Sequence, residues 1–151
     1  YSEVVRIALF DPNIINKKAG YITAALCIPP EHEFRFMIVN RLQMDLQSKN
    51  YLEVSTALIA TSQLLTKDMI PALFILYIGP SAQRVGVNGS IDYRATVLCK
   101  AIMVLQRFHQ LDPDSVGEMS SELRRLLESY NVTVVFSCIS VLHDFVIVGL
   151  L

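Results

Sequence analysis

The chain has almost no charge imbalance: thirteen Lys and Arg stand against fourteen Asp and Glu, a net of −1. That argues against a nucleic-acid binder, which normally carries a basic excess or a basic face. Cysteine is scarce and odd in number. Cys27, Cys99 and Cys138 lie far apart among apolar neighbours, which suits buried, reduced thiols better than a disulfide framework. No apolar run reaches the ~18 residues that a membrane span needs, because His143 and Asp144 interrupt the C-terminal one. Glycine is also sparse, and three of the six glycines (Gly79, Gly86, Gly89) fall in a single segment.

What is present is apolar. Hydrophobic residues make up 52% of the chain and charged ones 18%, against ~45–50% apolar in an average domain. The length suits one domain, yet a lone monomer of this composition must expose apolar surface. A stack of helical repeats does so at its ends. The chain opens on Tyr1 and closes on Phe145-Val146-Ile147-Val148-Gly149-Leu150-Leu151, and both ends are expected to be cut points within a longer array.

One stretch is written twice, 81 positions apart: Leu46-Gln47-Ser48-Lys49-Asn50 is echoed by Leu127-Glu128-Ser129-Tyr130-Asn131. Leu, Ser and Asn recur in register, and Val54 answers Val135. Val97 opens a third segment of the same kind between the copies, giving a period of about 40 residues. That is the period of HEAT and armadillo hairpins, whose units bury their apolar faces only by stacking.

Along the chain the apolar spacing is helical. A short stripe (Val4, Val5, Ala8, Leu9) ends at Asp11-Pro12-Asn13, where Asp11 is expected to cap the next helix. Gly20 in that helix predicts close approach of a neighbour. Phe34, Ile38, Leu42 and Leu46 recur every fourth residue. Tyr51, Val54 and Leu58 mark another helix, and Leu98, Ala101, Ile102 and Leu105 lie within the strongest one. Residues 132 to 148 are rich in β-branched residues, but their length favours helix. The fold is expected to be all-α, a right-handed α-solenoid spanning residues 1–151 with Phe34, Ile38, Leu42, Leu58, Leu98, Ala101, Ile102 and Leu105 facing inward. Residues 79–90 hold the turn signals Gly79-Pro80 and Asn88-Gly89 and are expected to form an irregular, solvent-facing insertion.

Searches for chemistry return little. Cys138, His143 and Asp144 are the nearest approach to a catalytic group, yet helical offsets of five and six spread them around the cylinder. A hydrolase using Cys138 and His143 is therefore a distant alternative. Asp112 and Asp114 read as helix-start residues, and Glu118 and Glu122 as a solvated face. No zinc spacing links the cysteines with His32, His109 and His143. The glycine segment lacks the lysine-serine/threonine ending of a phosphate loop. Neither a catalytic residue, a cofactor nor a metal site is assigned. Lys17-Lys18 and Arg124-Arg125 read as solvated helix edges, with Lys17 and Lys18 the candidate contacts for anionic lipid or an acidic partner.

Asn16-Lys17-Lys18-Ala19-Gly20-Tyr21 resembles the lysine-basic-apolar-glycine-tyrosine signature of adaptin N-terminal trunks, the large chains of clathrin-type adaptor complexes. The resemblance continues in order through Asp45-Leu46-Gln47-Ser48, Glu53-Val54, Ser62-Gln63, Asp68-Met69-Ile70-Pro71-Ala72, Lys100-Ala101-Ile102 and Arg107-Phe108-His109. It covers roughly residues 1 to 148, and the Met-Ile-Pro-Ala step looks most like the epsilon branch of that family. Residues 79–90 and Val97-Leu98-Cys99-Lys100 depart from the family pattern. The resemblance implies a non-catalytic scaffold in vesicle-mediated protein transport, cytoplasmic and peripherally bound to membranes of the trans-Golgi network or endosomes. It implies partners as well: a second large chain, medium and small adaptor chains, an Arf-family GTPase and cargo sorting signals. A helical-repeat scaffold of coatomer or nuclear-transport-receptor type is the runner-up.

Overall fold

The computed structural model describes residues 2–73, 91–114 and 120–147, and within them every regular element is helical. The helices are α1 (Ser2–Phe10), α2 (Ile14–Cys27), α3 (Phe34–Leu46), α4 (Tyr51–Leu64), α5 (Ile91–Leu111), α6 (Ser120–Leu126) and α7 (Val132–Ile147). A 3-10 turn at Lys67–Met69 runs into a helical turn at 70–73. The expected insertion at 79–90 lies outside the described residues.

Helix starts follow side-chain chemistry. Asn13 caps α2, its Oδ1 accepting from Ile15 N at 2.9 Å. Asp11, the expected cap, sits one step back: its Oδ1 accepts from Asn13 N at 2.7 Å and its Oδ2 from Asn16 Nδ2 at 2.8 Å. Pro12 accordingly precedes the helix and does not open it. Asn50 caps α4 through Leu52 N at 3.0 Å, and Asn131 caps α7 through Thr133 N at 3.0 Å. In both copies the preceding serine hydroxyl accepts from the capping asparagine's own N–H: Ser48 from Asn50 at 3.1 Å, Ser129 from Asn131 at 3.2 Å. The repeated Ser-x-Asn is thus one local device used twice. Val97 does not open a third copy. It lies inside α5, which begins at Ile91 with no breaker between them.

Packing is layered. α1 lies on α2, α3 on α4 and α6 on α7, while α2, α4, α5 and α7 contact one another in succession. Ile38, Leu42, Leu58, Ile102 and Leu105 are buried as expected, and Phe34, Leu98 and Ala101 are partly buried against the same core. α7 is helical throughout, so its β-branched residues are overridden by packing of Val134, Cys138, Val141 and Phe145. At Gly20 a β-carbon would lie 2.9 Å from Ala8 Cβ and 3.1 Å from Leu9 N. This is the close approach, of α1, that the glycine predicts.

Candidate functional site

A dense polar cluster joins the first four helices. Lys17 on α2 is 1% exposed. Its Nζ lies 3.1 Å from Asp45 Oδ1 on α3 and 2.7 Å from Glu53 Oε1 on α4. Tyr21, one turn on from Lys17, donates its hydroxyl to Asp45 Oδ2 at 2.8 Å. Arg41 Nη2 donates to Asp45 Oδ1 at 2.6 Å, and its guanidinium carbon stands 5.1 Å from the ring of Phe10 on α1. Ser48 donates to Glu53 Oε2. Two cations and two carboxylates cancel, which makes burial tolerable.

The electrostatics follow from this geometry. Burial, then the charge of Asp45, hold the Tyr21 hydroxyl far above its ordinary range, so it stays a donor. Hydrogen bonds from Lys17 and Ser48 hold Glu53 below the usual carboxylate value. A group of opposite charge favours the ionised form, and here it outweighs burial.

Lys17 therefore corrects the sequence reading. It is no solvated edge and offers no ammonium to a lipid or acidic partner, because both its partners are internal carboxylates. The lysine-glycine-tyrosine signature is a packing device: Lys17 and Tyr21 clasp Asp45 while Gly20 admits α1. Lys18 is exposed. It stands near enough to Lys100 to help burial lower that ammonium's pKa, and Lys100 Nζ donates to Ser55 Oγ on α4.

Sequence reasoning missed Arg35. This buried side chain donates to three carbonyls: Ile28 at 2.5 Å, Leu64 at 3.1 Å and Pro29 at 3.2 Å. It ties off the C-terminal ends of α2 and α4, where helix dipoles are negative. Burial lowers its pKa. The signal was there in phase: Arg35, Ile38, Leu42 and Asp45 share one helical face.

Cys138 and His143 do not assemble a reactive pair. Cys138 is fully buried, and burial, then Cys99, push its thiol up to about 11. His143 is exposed, its Nδ1 3.7 Å from Asp144 Oδ1. Among the described residues no group of three or more His, Cys, Asp or Glu could hold a metal ion. Arg124 and Arg125 are exposed, as expected. Nor is any described helix long and apolar enough to cross a membrane.

Comparison with known proteins adds the family. The chain is 36% identical over 117 residues, 78% of its length, to the AP-4 complex subunit epsilon of Arabidopsis thaliana. It is 36% identical over 79% of its length to the protein of that name in Dictyostelium discoideum. To AP-4 complex subunit epsilon-1 of Homo sapiens it is 30% identical over 76%. This is an epsilon-adaptin-like chain. It spans only 9–12% of the length of these relatives. No family model matches it, and no solved structure does.

Proposed function

We propose that this chain is a segment of the helical trunk of an adaptor-complex large subunit, a non-catalytic scaffold for vesicle-mediated protein transport. The observation that carries the reading is the similarity to AP-4 epsilon subunits along more than three quarters of the chain. The packing supports it. Paired helices with a continuous α2–α4–α5–α7 succession have the layout of stacked HEAT/armadillo-like hairpins, each unit burying its face on the next. On this reading the fold is a right-handed α-solenoid.

The partners are then the second large chain and the medium and small chains of the complex, with an Arf-family GTPase and cargo sorting signals engaged at the trans-Golgi network or endosomes. Membrane association is peripheral. Lys18, exposed and near Lys100, is the remaining position for contact with anionic headgroups, a contribution of about 1 kcal/mol per cation close to a charged surface.

Affinity purification of the tagged protein from its own cells, with mass spectrometry of what accompanies it, tests the assignment. Medium and small adaptor chains are expected in stoichiometric yield. Recovery of coatomer subunits or of nuclear-transport cargo in their place overturns it in favour of another helical-repeat class.

A further inference from the structure

α4 lies between α2 and α5 and touches both, and the three helices bring their side chains together in rows. Lys18, Ser55 and Lys100 form the first row. Lys100 Nζ donates to Ser55 Oγ, and the charge of Lys18 joins burial in lowering the Lys100 pKa, so the two ammonium groups converge over α4. About one turn on come Ile22, Ile59 and Met103, which are 48%, 37% and 61% exposed. About two turns on, Ala25, Gln63 and Arg107 meet around a hollow of about 420 Å³. Steps of seven or eight residues keep each helix's set on one side of its cylinder, so the rows make one face.

The charge on this face has one sign. Residues 14–27, 51–64 and 95–111 hold a single carboxylate, Glu53, and Lys17 and Ser48 already engage it. Lys100 and Arg107 donate to neutral oxygens, of Ser55 and Gln110, and Lys18 is exposed. The chain as a whole carries −1, so this cationic face is local. Two ammonium groups held together disfavour each other's charge, and an anion beside them relieves that. Seven residues of α5 separate Lys100 from Arg107, a rise of about 10 Å. The same rise separates positions i and i+7 of a helix laid along α4, with i+3 and i+4 on the same side between them.

We propose that this face docks an acidic amphipathic helix from a partner polypeptide, with carboxylates at i and i+7 and leucine-sized side chains at i+3 and i+4. One carboxylate meets Lys18 and Lys100, the other meets Arg107, and the aliphatic side chains cover Ile22, Ile59 and Met103. This is the helix-in-groove mode of recognition, with charge fixing the register. A flat bilayer fits less well, because Lys100 is half-buried and Ser55 buried. The face rests on the packing of α2, α4 and α5 and not on the trafficking role.

Fluorescence anisotropy with a labelled peptide, Glu-Ala-Ala-Leu-Leu-Ala-Ala written twice, tests the face. Saturable binding that weakens with added salt is expected. The counterpart with Gln for Glu should bind about fivefold to tenfold more weakly, the range for losing two partly exposed ion pairs. Lys18→Gln and Arg107→Gln should each weaken binding about twofold to fivefold. Arg124→Gln, an exposed cation on α6, should leave it unchanged. The proposal is overturned if the peptide does not saturate, if the Gln peptide binds as well, or if Arg124→Gln weakens binding as much as the other two. Co-sedimentation with phosphatidylserine vesicles tests the other occupant. Arg107→Gln should not alter it, and a loss matching that for the peptide would assign the face to a membrane and overturn the proposal. Should a variant fail to fold by circular dichroism, the Glu-to-Gln peptide ratio on the unaltered protein decides alone.

Discussion

Lys17 and Asp45 are 28 positions apart in sequence and 3.1 Å apart in space, and neither side chain is open to water. Together with the Tyr21 hydroxyl on Asp45 their pairing ties α2 to α3, and Glu53 extends it to α4. A buried ion pair contributes little net stability over an apolar pair of the same shape, but removing one member strands the other's charge. Lys17→Met is therefore expected to destabilise the fold by about 3–5 kcal/mol, read as a lower midpoint in urea. Lys18→Met, its exposed neighbour, should change stability by no more than about 0.5 kcal/mol. Equal effects from the two would return Lys17 to the surface role that its sequence context suggests.

Gly20→Ala sets two effects against each other. Alanine gains about 1 kcal/mol of helix propensity over glycine. Its β-carbon would meet Ala8 Cβ at 2.9 Å and the Leu9 backbone at 3.1 Å, and backbone cannot rotate away. Overpacking of this kind costs about 1–3 kcal/mol, so the net change should be destabilising. A rise in melting temperature would show that α1 moves aside without cost.

How much of this was legible in the sequence differs by kind of information. Apolar periodicity placed the helices and the core because burial repeats every 3.6 residues whatever the partner. Gly20 announced a neighbour without identifying it as α1. The polar interior was not legible in the same way. Lys17, Arg35 and Asp45 lie in phase with buried apolar stripes, yet a charged residue is so seldom fully buried that the surface reading prevails. Only its partner settles the matter, and Lys17 finds Asp45 and Glu53 from helices whose relative placement no local pattern encodes. Asp11 shows the limit at short range, since two capping residues on either side of Pro12 compete and the hydrogen-bond register chooses Asn13.

The repeat makes a matched pair of variants available. Asn50 and Asn131 accept from the residue two positions on, at 3.0 Å in each case. Replacing an N-cap asparagine by alanine costs about 1 kcal/mol. Asn50→Ala and Asn131→Ala should each lose that amount, and the double variant should lose the sum because the sites share no partner. Thermal melts of the four proteins measure this. Strong non-additivity would mean the two turns communicate through the core.

Glu53 makes stability depend on pH in a defined direction. Lys17 and Ser48 hold its pKa in the folded protein below the 4.5 of an unperturbed glutamate. Its contribution is fully present above about 4.5 and is lost as pH falls through the lower, folded value. Urea unfolding at pH 7, 5 and 3 should show stability falling over that acidic window, and Glu53→Gln should flatten the fall. A slope unchanged in Glu53→Gln would assign the acid sensitivity to other carboxylates.

The cysteines separate by reactivity. Only the thiolate attacks an alkylating agent or a disulfide, and burial raises the Cys138 thiol to about 11. At pH 8 that leaves roughly one thiol in a thousand ionised, and the side chain is fully enclosed between α5 and α7. Cys27, at the end of α2, is exposed. Iodoacetamide at pH 8 should therefore modify Cys27 at least about 100-fold faster than Cys138, with Cys138 reacting once urea unfolds the chain. Peptide mapping by mass spectrometry reads both rates in one sample. Labelling of Cys138 in the folded protein at a rate near that of Cys27 would mean an open, activated thiol. That outcome would restore a nucleophile to this helix and reopen the question of catalysis beside His143.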